Sequence, residues 1–171
     1  MVEMRLEVEG LEELTRALAA LPGQAMGEIA AAMGEAVHVV EGEVVDRTPV
    51  GAAGRGAFSR NLRQTITTEV RRDGNDVTGV VGTDVGYAPF VEKGTAPHWP
   101  PLQAIVEWVQ FSGKFGPIGT EDLGMAKSIQ KRIARRGTKG AFMFRDGLAA
   151  ARNTVLDILG RAIERVMRQF K

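Results

Sequence analysis

Residues 26–46 read MGEIAAAMGEAVHVVEGEVVD, and this stretch decides the fold. Its apolar side chains recur every three or four positions, as they do on one face of a helix: Met26, Ile29, Met33, Val37, Val40 and Val44. The glutamates lie mostly off this stripe. The pattern predicts a helix of about six turns. Thr48-Pro49-Val50-Gly51 is predicted to end it, because proline cannot continue a helix.

Shorter elements are predicted before this helix, and a second long helix near the end of the chain. Alternation over residues 5–9 predicts a strand that ends at Gly10, and leucines at helical spacing predict a short helix over residues 11–21. A C-terminal helix of about 25 residues is predicted by apolar residues from Leu148 to Phe170, with Asp146 as its N-cap.

Three strands are predicted between the long helices. Alternating polar and apolar residues over 62–70 predict the first, Asp73-Gly74 predicts a hairpin turn, and residues 77–81 form the returning strand. The stretch 87–95, Tyr-Ala-Pro-Phe-Val-Glu-Lys-Gly-Thr, is interpreted as a third strand followed by a sharp exit. In this interpretation Phe90 lies in the core.

Residues 96–141 are predicted to form a helical insertion. A proline-rich loop at 96–101 is followed by a helix that starts at Leu102, with Trp108 near its apolar side, and by a second helix spaced by Met125, Ile129 and Ile133. The fold class is therefore α+β. We expect one domain over residues 1–171, in which a small antiparallel sheet packs against the long N-terminal helix and the C-terminal helix.

The composition excludes several classes of protein. With 44% hydrophobic and 25% charged residues the chain can bury a core, and without cysteine it has no disulfides. The N-terminus lacks the apolar region of a signal peptide, and no run of about 18 apolar residues predicts a membrane span. A soluble protein made inside the cell is the expectation.

No catalytic, metal or cofactor site is predicted. His38 and His98 lack carboxylates at ligand spacing, and none of the three serines lies in a nucleophile motif. Exposed helix acids explain Glu41, Glu43 and Asp46 more simply than paired acid–base groups do. A non-enzymatic role follows.

The net charge of +1 hides an uneven distribution. Residues 1–110 carry 16 acidic and 9 basic residues, whereas residues 111–171 carry 5 acidic and 13 basic residues. Two regions of opposite charge can pair within one fold or between neighbours in a ring, or they can be solvated faces. Basic rows along the last two helices also fit a DNA-binding protein, although aromatic residues are not interleaved with them.

Several motifs, in their order, resemble the tail-component or tail-completion family of long-tailed double-stranded-DNA bacteriophages. The closest is the stretch 87–95. The others are Gly10-Leu11-x-x-Leu14, Thr48-Pro49-Val50-Gly51, Arg60 to Ile66, and Phe142-Met143-Phe144 after a longer insertion. The chain departs from the family pattern by inserting residues 52–59. The resemblance extends over nearly the whole sequence and is to the longer subgroup of the family.

The resemblance implies a structural virion protein that acts in tail completion or head–tail joining and forms a homo-oligomeric ring around the DNA channel. Its partners would be itself, other neck and tail proteins, and double-stranded DNA that passes without sequence readout, with no membrane and no cofactor. It would be made in the host cytoplasm and reside in the virion. A tail terminator that caps the tail tube, or a DNA-binding accessory protein, is the alternative. The predicted assembly contacts lie in and directly after the 52–59 arm, and in and before the 96–101 loop: Arg55, Phe58, Arg60, Glu92, Thr95, His98 and Trp99.

Overall fold

The computed structural model describes residues 2–5, 23–49, 62–111 and 121–169. The chain forms two compact units. The first comprises the described parts of Met1–Arg47, Ile66–Thr83 and Met143–Lys171, and the second those of Thr48–Thr65 and Asp84–Phe142. The single domain with an insertion at 96–141 stays a prediction.

Five strands and five α-helices lie within these described ranges. In chain order they are β1 Val2–Arg5, α1 Gly23–Arg47, β2 Thr67–Asp73, β3 Asp76–Thr83, α2 Ala88–Lys93, β4 Gly94–Thr95, α3 Leu102–Phe111, α4 Glu121–Arg136, β5 Thr138–Lys139 and α5 Met143–Gln169. A 3-10 helix spans Leu62–Thr65. The predicted α+β class is confirmed. No helix in the described part of the chain is long and apolar enough to cross a membrane.

Helix α1 confirms the prediction made from residues 26–46. Four residues of the apolar stripe are buried together with several alanines, as helical periodicity requires: Ala25, Met26, Ala32, Ala36, Val37, Val40 and Val44. Ile29 and Met33 of the stripe are half-buried. The helix ends at Arg47, directly before Thr48-Pro49. The residue before a proline is disfavoured in helical conformation, which accounts for the end point.

Helix α5 begins earlier than predicted. It starts at Met143, so Asp146 lies in its first turn and the N-cap assignment is wrong. The start follows Phe142, whose φ of 52° is a conformation that no helical residue adopts. Hydrogen bonds from Arg145 lower the pKa of the Asp146 carboxyl, and a carboxylate in the first turn also suits the helix dipole.

Helices α1 and α5 pack antiparallel in the first unit. At one end Gln169 donates a hydrogen bond of 2.7 Å to Glu28, and at the other Gly147 lies against Val44. A Cβ on Gly147 would lie 3.0 Å from both the Cα and the backbone nitrogen of Val44. The two backbones are therefore too close for any side chain at position 147.

The sheet of the first unit has the strand order β1-β3-β2, with both pairs antiparallel. The predicted hairpin is confirmed: Asp73 pairs with Asp76, and Gly74 takes a positive φ of 57° in the two-residue loop. The sheet packs on α1, where a Cβ on Gly79 would overlap the Val37 side chain. Residues from β3, α1 and α5 line one apolar cavity, so the sheet also meets the C-terminal helix.

Two strand predictions are wrong. Leu62–Thr65 is a 3-10 helix, and β2 begins only at Thr67. Ala88–Lys93 is a helix, and the Phe90 side chain is 60% exposed rather than in the core. Pro89 explains the second error, because its fixed φ favours the first turn of a helix and it cannot donate to a sheet.

Other predictions are tested only in part. A strand is present at Val2–Arg5, while residues 6–9, the predicted helix at 11–21 and the 52–59 arm lie outside the described residues. The two predicted helices of the insertion are confirmed as α3 and α4.

Gly147→Ala tests the close approach of α1 and α5. We expect the free energy of unfolding to fall by about 1–3 kcal/mol, because the new methyl group meets helix backbone that cannot rotate away. Gly160→Ala in the same helix is the control. A Cβ there meets nothing within 4 Å, so this change should raise stability by about 0.5–1 kcal/mol. Urea unfolding followed by circular dichroism measures both, and equal stabilities of the two variants would contradict the packing.

Candidate assembly surface

Two segments of the second unit are joined by backbone hydrogen bonds at the base of residues 96–136. Strand β4 pairs antiparallel with β5. Beside this pair, the Ala141 N–H donates to the Val91 carbonyl at 2.8 Å, and the Phe142 N–H donates to the Glu92 carbonyl at 3.0 Å. We call residues 91–95 and 137–142 together the glycine clasp.

Three glycines make this clasp possible. A Cβ on Gly94 would lie 2.7 Å from the Gly140 nitrogen, one on Gly137 would lie 2.8 Å from the Ala96 carbonyl carbon, and one on Gly140 would lie 2.7 Å from the Lys93 carbonyl carbon. Gly94 and Gly137 also have φ of 79° and 67°, which side chains disfavour. All three positions therefore require glycine so that backbone can touch backbone.

Thr95 contributes a side chain to the clasp. Its hydroxyl lies 3.0 Å from the hydroxyl of Thr138, and it accepts a hydrogen bond of 3.2 Å from the Thr138 N–H. Cross-strand threonine pairs of this kind stabilise short sheets. Thr95 thus has a structural role within the unit.

The 96–101 loop leaves the clasp and is anchored at its far end. The Gln130 side chain donates a hydrogen bond of 2.9 Å to the Pro100 carbonyl. His98 Nδ1 lies 2.9 Å from the Ala96 carbonyl, which can only accept, so Nδ1 carries the proton. Between these anchors the Trp99 side chain is 69% exposed. The loop holds a large aromatic ring in solvent on a tethered backbone.

Helices α3 and α4 form a hairpin with its own apolar core. Ile105, Val109 and Ala126 are buried, and Trp108 packs against them. The prediction that Trp108 lies near the apolar side of its helix is confirmed. Helix α4 ends in a hydrogen bond of 2.8 Å from Gly137 N–H to the Ile133 carbonyl.

Tyr87 lies at the start of α2 and connects it to the 3-10 helix. Burial raises the pKa of the Tyr87 phenol, and a backbone hydrogen bond with Leu62 acts in the opposite direction. The neighbouring Ala88 is fully buried, and its N–H donates to the Val85 carbonyl at 3.0 Å. The predicted third strand is thus replaced by a packed turn of helix.

The structure places the predicted contact residues differently. His98 and Trp99 are exposed and adjacent, and Thr95 lies directly before their loop. The Glu92 side chain is only 7% exposed, so it belongs to the interior of the unit. Arg55, Phe58 and Arg60 lie outside the described residues. An assembly role for all seven residues stays a prediction.

The glycine clasp was not foreseen from the sequence. The sequence predicts a sharp exit of the chain near Gly94 but gives no prediction that Gly137 and Gly140 pair with that segment. Glycines at both ends of a predicted insertion were the available signal, since they favour close backbone approach. Among the described residues there is no group of three or more His, Cys, Asp or Glu that could hold a metal ion.

A comparison with known protein families gives a match for a segment that ends within the glycine clasp. Residues 12–94 match the model of the HK97-gp10-like family, described as "Bacteriophage HK97-gp10, putative tail-component". This segment is therefore similar to a family of phage tail components. The family resemblance predicted from the sequence is confirmed there, and the match includes most of the 87–95 motif. No curated protein and no solved structure matches the chain.

Gly140→Ala tests the clasp. We expect loss of the two backbone hydrogen bonds at Ala141 and Phe142. Since each bond contributes roughly 1 kcal/mol, the clasp should be destabilised locally by about 1–3 kcal/mol. Hydrogen exchange of these two amides measures it. Gly124→Ala, in α4, is the control, because a Cβ there meets nothing within 4 Å. Unchanged protection of both amides in Gly140→Ala would rule out the close approach.

Thr95→Val tests the threonine pair. The change keeps the shape but removes the acceptor for Thr138 N–H, and we expect a loss of about 0.5–1.5 kcal/mol. Thr95→Ser restores the hydroxyl and should recover most of the loss. Thermal unfolding of both variants measures the difference. A valine variant as stable as the native chain would show that the hydroxyl pair contributes nothing.

Proposed function

We propose that the protein is a structural virion component that acts in tail completion or head–tail joining, assembled as a homo-oligomeric ring around the DNA channel. The family match over residues 12–94 carries this proposal. A tail component resides in the virion, and a structural part of this kind favours a non-enzymatic role. Other neck and tail proteins would be its further partners.

The exposed aromatic side chains support assembly through the second unit. Phe90 is 60% and Trp99 is 69% exposed. Trp is enriched among the residues that contribute most to the binding energy of interfaces. Both lie close in sequence to the clasp, which restricts the backbone around them. A rigid surface loses less entropy on association than a mobile one.

Trp99→Ser tests the ring. We expect the concentration of half-assembly to rise by at least about 30-fold, because an interface tryptophan typically contributes about 2 kcal/mol or more. Light scattering over a concentration series and negative-stain images of rings measure it. Monomer stability should be unchanged, since the side chain is already exposed.

The control is Met167→Ser, an exposed apolar residue of α5 in the first unit. It should assemble like the native chain. In a Trp108→Phe background, the emission of Trp99 should shift to shorter wavelength on assembly as its ring leaves water. A chain that remains monomeric at every concentration, or rings unaffected by Trp99→Ser, would contradict the proposal.

A further inference from the structure

The outer face of α4 carries a dense group of positive charges. Its apolar side packs against α3. Five exposed cations surround that side: Lys127, Lys131 and Arg135 on the opposite side of the helix, and Arg132 and Arg136 along its edge. The two acidic residues of the helix, Glu121 and Asp122, both lie at its first two positions. The charged residues of its last three turns are therefore all basic. We call these five residues the α4 basic face.

The cations of the α4 basic face lack counter-charges. Within the described ranges, none of the five cations has a carboxylate within 4.0 Å. Several arginines of other elements do have such partners, as in Arg71 with Glu69, Arg145 with Asp146 and Arg168 with Glu164. Repulsion between neighbouring cations on a helix costs stability, so this uncompensated group suits an external anion.

The spacing of the charges matches an extended polyanion. Lys127, Lys131 and Arg135 follow one another at four-residue steps, each a rise of about 6 Å. Arg132 and Arg136 form a second row beside them. Five charges thus span about 13.5 Å of helix, a length along which duplex DNA presents roughly eight phosphate charges.

The two uncharged polar side chains of α4 that could contact bases are engaged within the fold. The Gln130 amide donates to Pro100, and the Ser128 hydroxyl donates to the Gly124 carbonyl at 3.0 Å. Only flexible cations remain, and contacts of this type go mostly to phosphates. We propose that the α4 basic face binds the phosphate backbone of duplex DNA without reading base sequence. The face is complete in one copy, so the proposal does not depend on a ring.

The experiment titrates the full chain into a fluorescent duplex of about 30 base pairs at salt concentrations from about 50 to 200 mM. With five phosphate contacts, the slope of log K against log salt should be about −4.5, a loss of roughly 500-fold in affinity over this range. Two duplexes of different base composition should bind equally.

The variant Lys131→Gln/Arg135→Gln should make the slope less steep by about 1.8, because two counterion-releasing contacts are lost. The matched control is Arg152→Gln/Arg161→Gln, which removes the same charge from exposed positions of α5. Its slope should equal that of the native chain. Glutamine is a good helix former, so both variants should keep their helix content, which circular dichroism checks.

Three results would overturn the proposal. The first is no salt-dependent binding of duplex DNA by the folded chain. The second is an equal change of the salt dependence in the α5 control variant, which would show that binding depends on the net charge of the protein and not on the α4 basic face. The third is binding of poly-glutamate as tight as that of DNA and equally dependent on Lys131 and Arg135, which would indicate an acidic protein partner. Ring formation is measured on the same samples, so that failure of DNA binding can be distinguished from failure of the proposed ring assembly.

Discussion

The close approach of two helix backbones at Gly147 and Val44 is the constraint on which the first unit depends. It requires glycine on α5, and the antiparallel pair continues through small buried residues such as Ala36 and Ala151. Small residues let helices approach closely, and more atoms then come within dispersion range. The hairpin β2–β3 rests on α1, and Gly79 again removes the side chain at the point of contact. Helix α1 thus packs against both α5 and the sheet.

Glycines also allow close backbone approach in the second unit, where they join two backbone segments instead of two helices. In the glycine clasp, Gly94, Gly137 and Gly140 bring two backbone segments together across the base of residues 96–136. The hydrogen bonds satisfy backbone groups that would otherwise be left unpaired beside buried residues such as Glu92. Because the two ends of the insertion are held together at its base, the insertion can present a surface whatever the number of residues between those ends. Backbone hydrogen bonds thus fix the base of the insertion, and the apolar core between α3 and α4 holds those two helices together.

These two arrangements give the functional proposals their physical basis. The family match shows that residues 12–94 are similar to phage tail components. The clasp restrains the loop that exposes Trp99, and the α3–α4 core orients α4 so that its basic face lies in solvent. Aromatic and cationic groups on rigid elements are suited to contacts with large partners, since ordering costs little on binding.

The sequence by itself determined the long and periodic elements. Apolar spacing predicted α1, α3, α4 and much of α5, and Asp73-Gly74 predicted the hairpin, because a helix face or a tight turn is encoded by neighbouring residues. It also identified Trp99 and His98 as loop residues. The family motif was recognised even where its conformation was assigned wrongly.

Only the tertiary structure decided the conformation of residues 88–93 and the existence of the clasp. Six residues are too few for periodicity to distinguish helix from strand, so packing of Ala88 and the geometry around Pro89 settled it. The clasp joins Thr95 to Thr138, 43 positions apart. No local pattern encodes such a pairing, because its glycines are required only once the second backbone is in place.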